Sequence, residues 1–232
     1  MGRPSKRNRE IAKLSEPLKA YSVAEAVAIL KQCPPVKFDQ TVDIQMKMGV
    51  DPRRSDQLVR GTVPLPNGTG KTIKVLVFAK GDKIKEAYEA GADYAGHDEL
   101  FEKVNGGWTD FDAVVATPEM MRDVGKLGKV LGPRGLMPTP KAGTVTPDIA
   151  TAVKDLKAGK IEFKLDKHGV INNGLGKISF SADKLIENIR AFIHAVMRAK
   201  PATAKGHYLR NCVLSTTMGP GIKIDVRDLD VT

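Results

Sequence analysis

The residues with the most chemical promise lie in LPNGTGKTIKVLVF, residues 65–78. Gly68-Thr69-Gly70-Lys71-Thr72 has the form of the end of a phosphate-cradling loop, where backbone N–H groups and a lysine hold the phosphates of a nucleotide. The full pattern, GxxxxGK[ST], needs a glycine at position 65, where Leu65 stands. It also needs a helix after the loop, and the residues after Thr72 are IKVLVF, a strand sequence. Nucleotide hydrolysis is therefore set aside, and the stretch reads as a flexible crossing beside Pro64 and Pro66. His97, His168, His194 and His207 stand at no metal-ligand spacing, and no GxSxG elbow or Cys–His nucleophile pattern occurs. Asp110 and Asp112 flank a strand and read as a solvated turn. Cys33 and Cys212 are too few for a zinc cluster or a disulfide framework, which points to a reducing cytoplasm. No enzyme activity, metal or cofactor is expected.

Charge gives a stronger signal than any catalytic motif. The chain carries a net +10, and the excess is unevenly placed. Residues 1–67 hold 12 Lys/Arg against 7 Asp/Glu, residues 68–159 hold 13 against 13, and residues 160–232 hold 12 against 7. Both ends are thus basic and the middle is neutral. One reading folds the two ends into a single basic domain facing a nucleic-acid backbone, with a neutral domain inserted; the other is a merely solubilising surface. No apolar run approaches the roughly 20 residues a membrane helix needs, and no apolar signal segment follows the basic N-terminus MGRPSKRNRE.

The elements expected along the chain fit an insertion. Residues 22–33 read as a helix, with Ser22 and Glu25 spaced as a capping box and Pro34-Pro35 ending it. In residues 38–50, Val42, Ile44, Met46 and Met48 alternate with Thr41, Asp43, Gln45 and Lys47, a half-buried strand of an antiparallel sheet. The middle changes rhythm. Solid apolar strands at 73–79 and 111–116 alternate with helices at 83–90 and 98–104, and with helix starts at Thr117-Pro118-Glu119 and Thr146-Pro147-Asp148, as in a mostly parallel α/β domain. Gly159 closes that section, and alternation returns at Ile161, Phe163 and Leu165. A turn near 167–169, an extended piece from Lys177 to Phe180, a long amphipathic helix from Ser181 and extended runs at 208–215 and 222–226 complete the chain. Domain boundaries of 1–67 with 160–232, and 68–159, follow. The crossings, Asn67, Gly68 and Gly70 on one side and Gly159 on the other, read as a two-strand hinge.

The most distinctive segment is GKLGKVLGPRGLMPTPKAGT, residues 125–144, a Gly- and Pro-rich basic stretch read as a long loop. It resembles the signature of the "L-one" family of large-subunit ribosomal proteins, bacterial type, which forms the mobile side stalk. KFDQTVDI (37–44), GGWTDFDAVVATPEMM (106–121), AFIHAVMRAKP (191–201) and STTMGP (215–220) agree with it, so the resemblance covers essentially the whole chain. It implies a terminal α+β domain with an antiparallel sheet built from both chain ends, and an inserted Rossmann-like α/β domain.

By resemblance, the terminal domain meets ribosomal RNA. Lys37, Phe38 and Thr41 are expected at one edge of the surface, Asp166, Lys167 and His168 in a turn beside it, and Ser215, Thr217, Met218 and Gly219 in the C-terminal segment. Lysines neutralise phosphates, hydroxyls reach ribose 2′-OH groups, and Phe38 or Met218 offers an apolar surface to a sugar or base. Without the resemblance, Met218 reads as core. The implied role is a structural constituent of the cytoplasmic 50S subunit that binds stalk rRNA, assists release of exit-site tRNA and represses its own mRNA, with no membrane contact. Asn172 stands where relatives commonly carry His, and the tail DVRDLDVT runs past the usual end. Rival classes are a nucleotide-dependent enzyme built on the middle domain and a non-specific basic protein.

Overall fold

The computed structural model describes residues 5–16 and 19–226. Residues 227–232 of the tail and residues 1–4 of the basic N-terminus lie outside them. In chain order the first elements are α1 (Lys6–Leu14), α2 (Val23–Gln32), β1 (Thr41–Met48) and β2 (Arg60–Pro64). Next come β3 (Val75–Phe78), α3 (Lys83–Glu89), β4 (Tyr94–Gly96), α4 (Asp98–Asn105) and β5 (Ala113–Ala116). After the short α5 (Met121–Val124) and α6 (Gly128–Leu131) come α7 (Ile149–Lys157), β6 (Lys160–Lys164), β7 (Val170–Lys177), α8 (Ala182–Arg198), β8 (Leu209–Thr216) and β9 (Ile222–Ile224). The chain divides into two compact units, residues 1–70 with 162–232 and residues 71–161.

In the first unit a four-stranded sheet is ordered β7-β1-β8-β9. Its pairings are antiparallel, so a strand from the N-terminal third lies between strands from the C-terminal third. The alternation read in β1 is realised: Val42, Ile44, Met46 and Met48 are buried while Gln45 and Lys47 are exposed. Helices α2 and α8 pack on the sheet and on each other. The capping box of α2 is present, Glu25 N–H donating to Ser22 Oγ and Ser22 N–H to the Glu25 carboxylate. Leu185, Ile189, Phe192 and Val196 are the buried stripe of α8, as its spacing requires. Each such burial contributes about 1.5–3 kcal/mol.

The second unit has a parallel sheet ordered β4-β3-β5. Every residue of β3 is buried because both faces are covered. Leu76 and Phe78 face one apolar cluster with Leu100, Val104 and Leu131; Val75 and Val77 face another with Ala87, Ile149 and Val153. The fold is therefore α/β with an antiparallel terminal sheet, as the pattern and the resemblance anticipate.

Four local readings change. Residues 125–144 are not an open loop: Leu127 and Leu131 are fully buried on short helical turns, because their apolar side chains cover the sheet. The extended piece expected from Lys177 instead ends there, as β7 begins at Val170. Helix α7 is capped by Asp148, whose carboxylate accepts from Thr151 N–H, so Thr146 and Pro147 precede the helix. Met218 is 54% exposed rather than core.

Candidate nucleic-acid interface

The side chains of β1 that point away from α2 and α8 define the other face of the sheet, on which Gln45 and Lys47 are exposed. Asp43 stands opposite Gly174 and Ser215, Gln45 opposite Asn172 and Val213, and Lys47 opposite Asn211. This face is mostly polar, with Val170 opposite Lys47 and Val213 as its apolar members. It runs from Thr41 to Lys47, about 20 Å at 3.4 Å per residue.

At the Thr41 end the C-terminal segment is stitched to β1. Thr217 N–H donates to Thr41 O and Thr41 N–H to Thr217 Oγ1, each at 3.2 Å. Lys177 Nζ donates to Thr41 Oγ1 at 3.1 Å. The exposed Met218 is fixed through its own peptide groups: its N–H donates to Gln40 Oε1 at 3.0 Å, and its carbonyl accepts from Arg7 Nη1 at 2.7 Å. Gln40 is only 5% exposed, so its amide is held by the packing around it. A Cβ at Gly219 would stand 2.2 Å from Thr216 Oγ1, so only glycine fits the turn as built. Phe38, 52% exposed, and Met218 are two of the few large apolar side chains left in solvent. Lys37 is exposed beside Phe38.

Asp166, Lys167 and His168 lie at the other end. Met48 N–H donates to Gly169 O, and Lys47 Nζ donates to His168 O. The Asp166 carboxylate accepts from His168 N–H at 2.7 Å and Val170 N–H at 2.9 Å. The Val170 N–H, and after it that of His168, holds the Asp166 carboxyl below its ordinary range against a smaller opposing effect of burial. Asp166 therefore shapes the turn, while Lys167 and His168 stay exposed. The residues named from sequence thus form two groups. Lys37, Phe38, Thr41, Ser215, Thr217, Met218 and Gly219 gather toward one end of the face, and Asp166, Lys167 and His168 gather at the other.

Of the polar residues between them, Gln45 and Asn211 were not named as site residues from sequence, although the alternation in residues 38–50 already placed Gln45 on the polar side, and Asn172 was noted there only as a departure from the family pattern. Gln40 and Arg7 gave no local signal, because their partners lie 178 and 211 residues away.

The crossing residues are placed as follows. Asn67 N–H donates to Asn188 Oδ1 at 3.1 Å, and Asn188 Nδ2 donates to Gly68 O at 2.9 Å. Asn67 and Gly68 are thereby tied to α8, whereas Gly70, at φ 71, ends the first unit. Gly159, at φ 99, closes α7 inside the second unit. Thr72 leads toward β3 and not into a helix, so the GTGKT stretch lacks the helix N-terminus that a phosphate loop uses.

Burial pushes the Cys212 thiol up to about 12 and raises that of Cys33, and both are free. Among the described residues no group of three His, Cys, Asp or Glu could hold a metal ion, and no helix is long and apolar enough to cross a membrane.

Comparison with known proteins adds an independent finding. Residues 29–220 match the model of the "Ribosomal protein L1p/L10e family". The chain is 77% identical over 231 residues to "Large ribosomal subunit protein uL1" of Protochlamydia amoebophila (strain UWE25), covering 100% of this chain and 98% of that protein. It is 60% identical over 229 residues to the protein of the same name from Chlamydia pneumoniae, covering 99% of each.

Proposed function

The chain belongs to the ribosomal protein L1p/L10e family, and from that premise we propose that its terminal unit grips the rRNA of the large subunit's mobile side stalk. Membership of the family makes it a structural protein of the large ribosomal subunit, working in the cytoplasmic ribosome, and not an enzyme.

The observation that carries the RNA reading is the exposure of two large apolar side chains, Phe38 and Met218, toward the Thr41 end of a mostly polar sheet face, with Met218 held through both its peptide groups. Exposed Phe38 and the peptide-anchored Met218 each offer an apolar surface to a sugar or base, Thr41, Thr217 and Ser215 supply hydroxyls, and Lys37 and Lys167 supply charge for phosphates. In this reading the RNA lies along the face toward Lys167 and His168. The same surface would bind a stalk-like structure in the protein's own mRNA, so repression begins when free rRNA is exhausted. Assistance in releasing exit-site tRNA is part of the same proposal. The pivot between the units is proposed at the crossings. Because Asn67 and Gly68 are tied to α8, its freedom would lie from Gly70 onward and, on the return, beyond Gly159.

Binding of the full chain to a side-stalk RNA and to random duplex, across a salt series, tests the reading. Selective binding should survive salt that strips random duplex. Thr217→Val and Met218→Ala should each cost about 1–3 kcal/mol toward stalk RNA, with the circular dichroism spectrum unchanged. Unchanged affinity in the folded variants would refute the assignment.

A further inference from the structure

A second feature of the terminal unit is a cavity of about 510 Å³ where the strand ends of β1 and β8 meet. Its lining includes Arg54, Lys205 and Arg210, with Asp51, Gln57 and Gly49. Three cations and one carboxylate line it, and with Arg54 paired to Asp56 the remaining positive excess is Lys205 and Arg210 over Asp51. Asp51 already accepts from Arg53 N–H at 3.0 Å, and Arg54 pairs with Asp56 at 3.3 Å outside the lining. Lys205 and Arg210 make no hydrogen bond or ion pair among the described residues. Like charges gathered in one concavity repel, and an anion seated among them relieves that repulsion.

The shape is built in. Gln57 spans the two walls, accepting from Asp51 N–H at 2.8 Å and donating to Thr203 O at 3.5 Å, while Thr203 Oγ1 donates to Asp56 O at 3.4 Å. Gly49 N–H donates to Tyr208 O at 2.7 Å, and a Cβ on Gly49 would stand 2.0 Å from His207 O, so the two chain segments meet closely. The cavity also lies at the same end of the sheet as the 166–168 turn, since Met48 N–H donates to Gly169 O one residue before Gly49.

We infer that this cavity seats a backbone phosphate of the bound RNA, an inference that rests on the RNA reading above. RNA lying along the polar face from Met218 toward His168 would reach the cavity as it leaves the sheet. Arg54, Lys205 and Arg210 would then form an electrostatic anchor that carries no sequence information, complementing the apolar contacts at the other end.

The test is the salt dependence of stalk-RNA affinity for the full chain and for Lys205→Gln and Arg210→Gln, with Lys184→Gln as the control. Lys184 is an exposed cation at the start of α8, on the opposite side of the sheet. A cation that contacts a phosphate contributes about 0.7–0.9 to the slope of log K against log salt. Lys205→Gln and Arg210→Gln should each flatten the slope by about that amount, and Lys184→Gln should not. Met218→Ala should weaken binding with the slope unchanged. If the two cavity variants keep the control's slope while Met218→Ala still weakens binding, the cavity proposal is overturned and the RNA reading stands. If the wild-type chain does not prefer stalk RNA to random duplex, the reading beneath the proposal fails and removes it too. Inorganic phosphate, titrated against the amide spectrum, separates a free-anion site: shifts at Gly49 and Lys205 with unchanged RNA slopes would overturn the RNA assignment.

Discussion

Asn188 should be the most costly polar residue to remove from the terminal unit, and the structure gives the magnitude. It is fully buried on α8 and serves three backbone groups. Its Oδ1 accepts from Asn67 N–H, and its Nδ2 donates to Gly68 O and, at 2.8 Å, to Leu175 O. Leu175 lies at a bulge in β7: Asp43 faces Gly174 and Val42 faces Gly176, leaving Leu175 without a partner on β1. Asn188→Ala therefore strands one fully buried carbonyl and two partly buried groups. An unsatisfied buried polar group costs about 1–3 kcal/mol, and partial access of water to the Asn67 and Gly68 groups discounts theirs, so a loss of about 2–4 kcal/mol is expected. Asn188→Asp should be no better, because it keeps the acceptor for Asn67 and turns a buried carboxylate toward two carbonyls. Urea unfolding followed by circular dichroism should show the midpoint lowered by about 1–2 M for a slope near 2 kcal/mol/M. Hydrogen exchange should localise the loss to peptides of β7, α8 and residues 65–70, with peptides of β3 and β5 unaffected. A midpoint within about 0.3 M of wild type would mean that these groups find other partners, and the reasoning would fail.

Three further outcomes are expected. Gln40→Ala removes the acceptor for Met218 N–H and should weaken stalk-RNA binding by about three- to tenfold with an unchanged salt slope, as filter binding would show. Gly219→Ala drives a Cβ against Thr216 Oγ1 and should destabilise by about 1–3 kcal/mol, and adding Thr216→Ala should recover most of the loss in a double-mutant cycle read by thermal melts. Asp166 has a folded-state pKa below its unfolded value, so its contribution is present above the ordinary Asp range near 4 and is lost as pH falls through the lowered folded value. The amide signal of Val170 should accordingly inflect below about pH 4, and Asp166→Asn should abolish that inflection.

The periods of the sequence determined the elements, because a strand with one covered face must alternate and a strand covered on both faces cannot. That physics made β1, β3, α2 and α8 legible from residues 22–50, 73–79 and 181–198 alone, and with them the contrast between the ends of the chain and its middle. Composition likewise showed two basic ends around a neutral middle. What a linear pattern could not show is which distant groups complete one another. Residues 125–144 read as a loop because Gly and Pro dominate their composition, yet Leu127 and Leu131 are core, since a sheet face needed covering. Asn188 stands three residues after Leu185 and four before Phe192, within the apolar stripe; a polar residue there marks a buried partner without naming it. Its partners at Asn67, Gly68 and Leu175, like those that fix Met218 through Gln40 and Arg7, arise only where strands from both chain ends pair. The glycines of GTGKT underwent the same division. Sequence removed them from nucleotide chemistry, and only the tertiary structure showed that Asn67 and Gly68 are tied to a helix while Gly70 closes the unit.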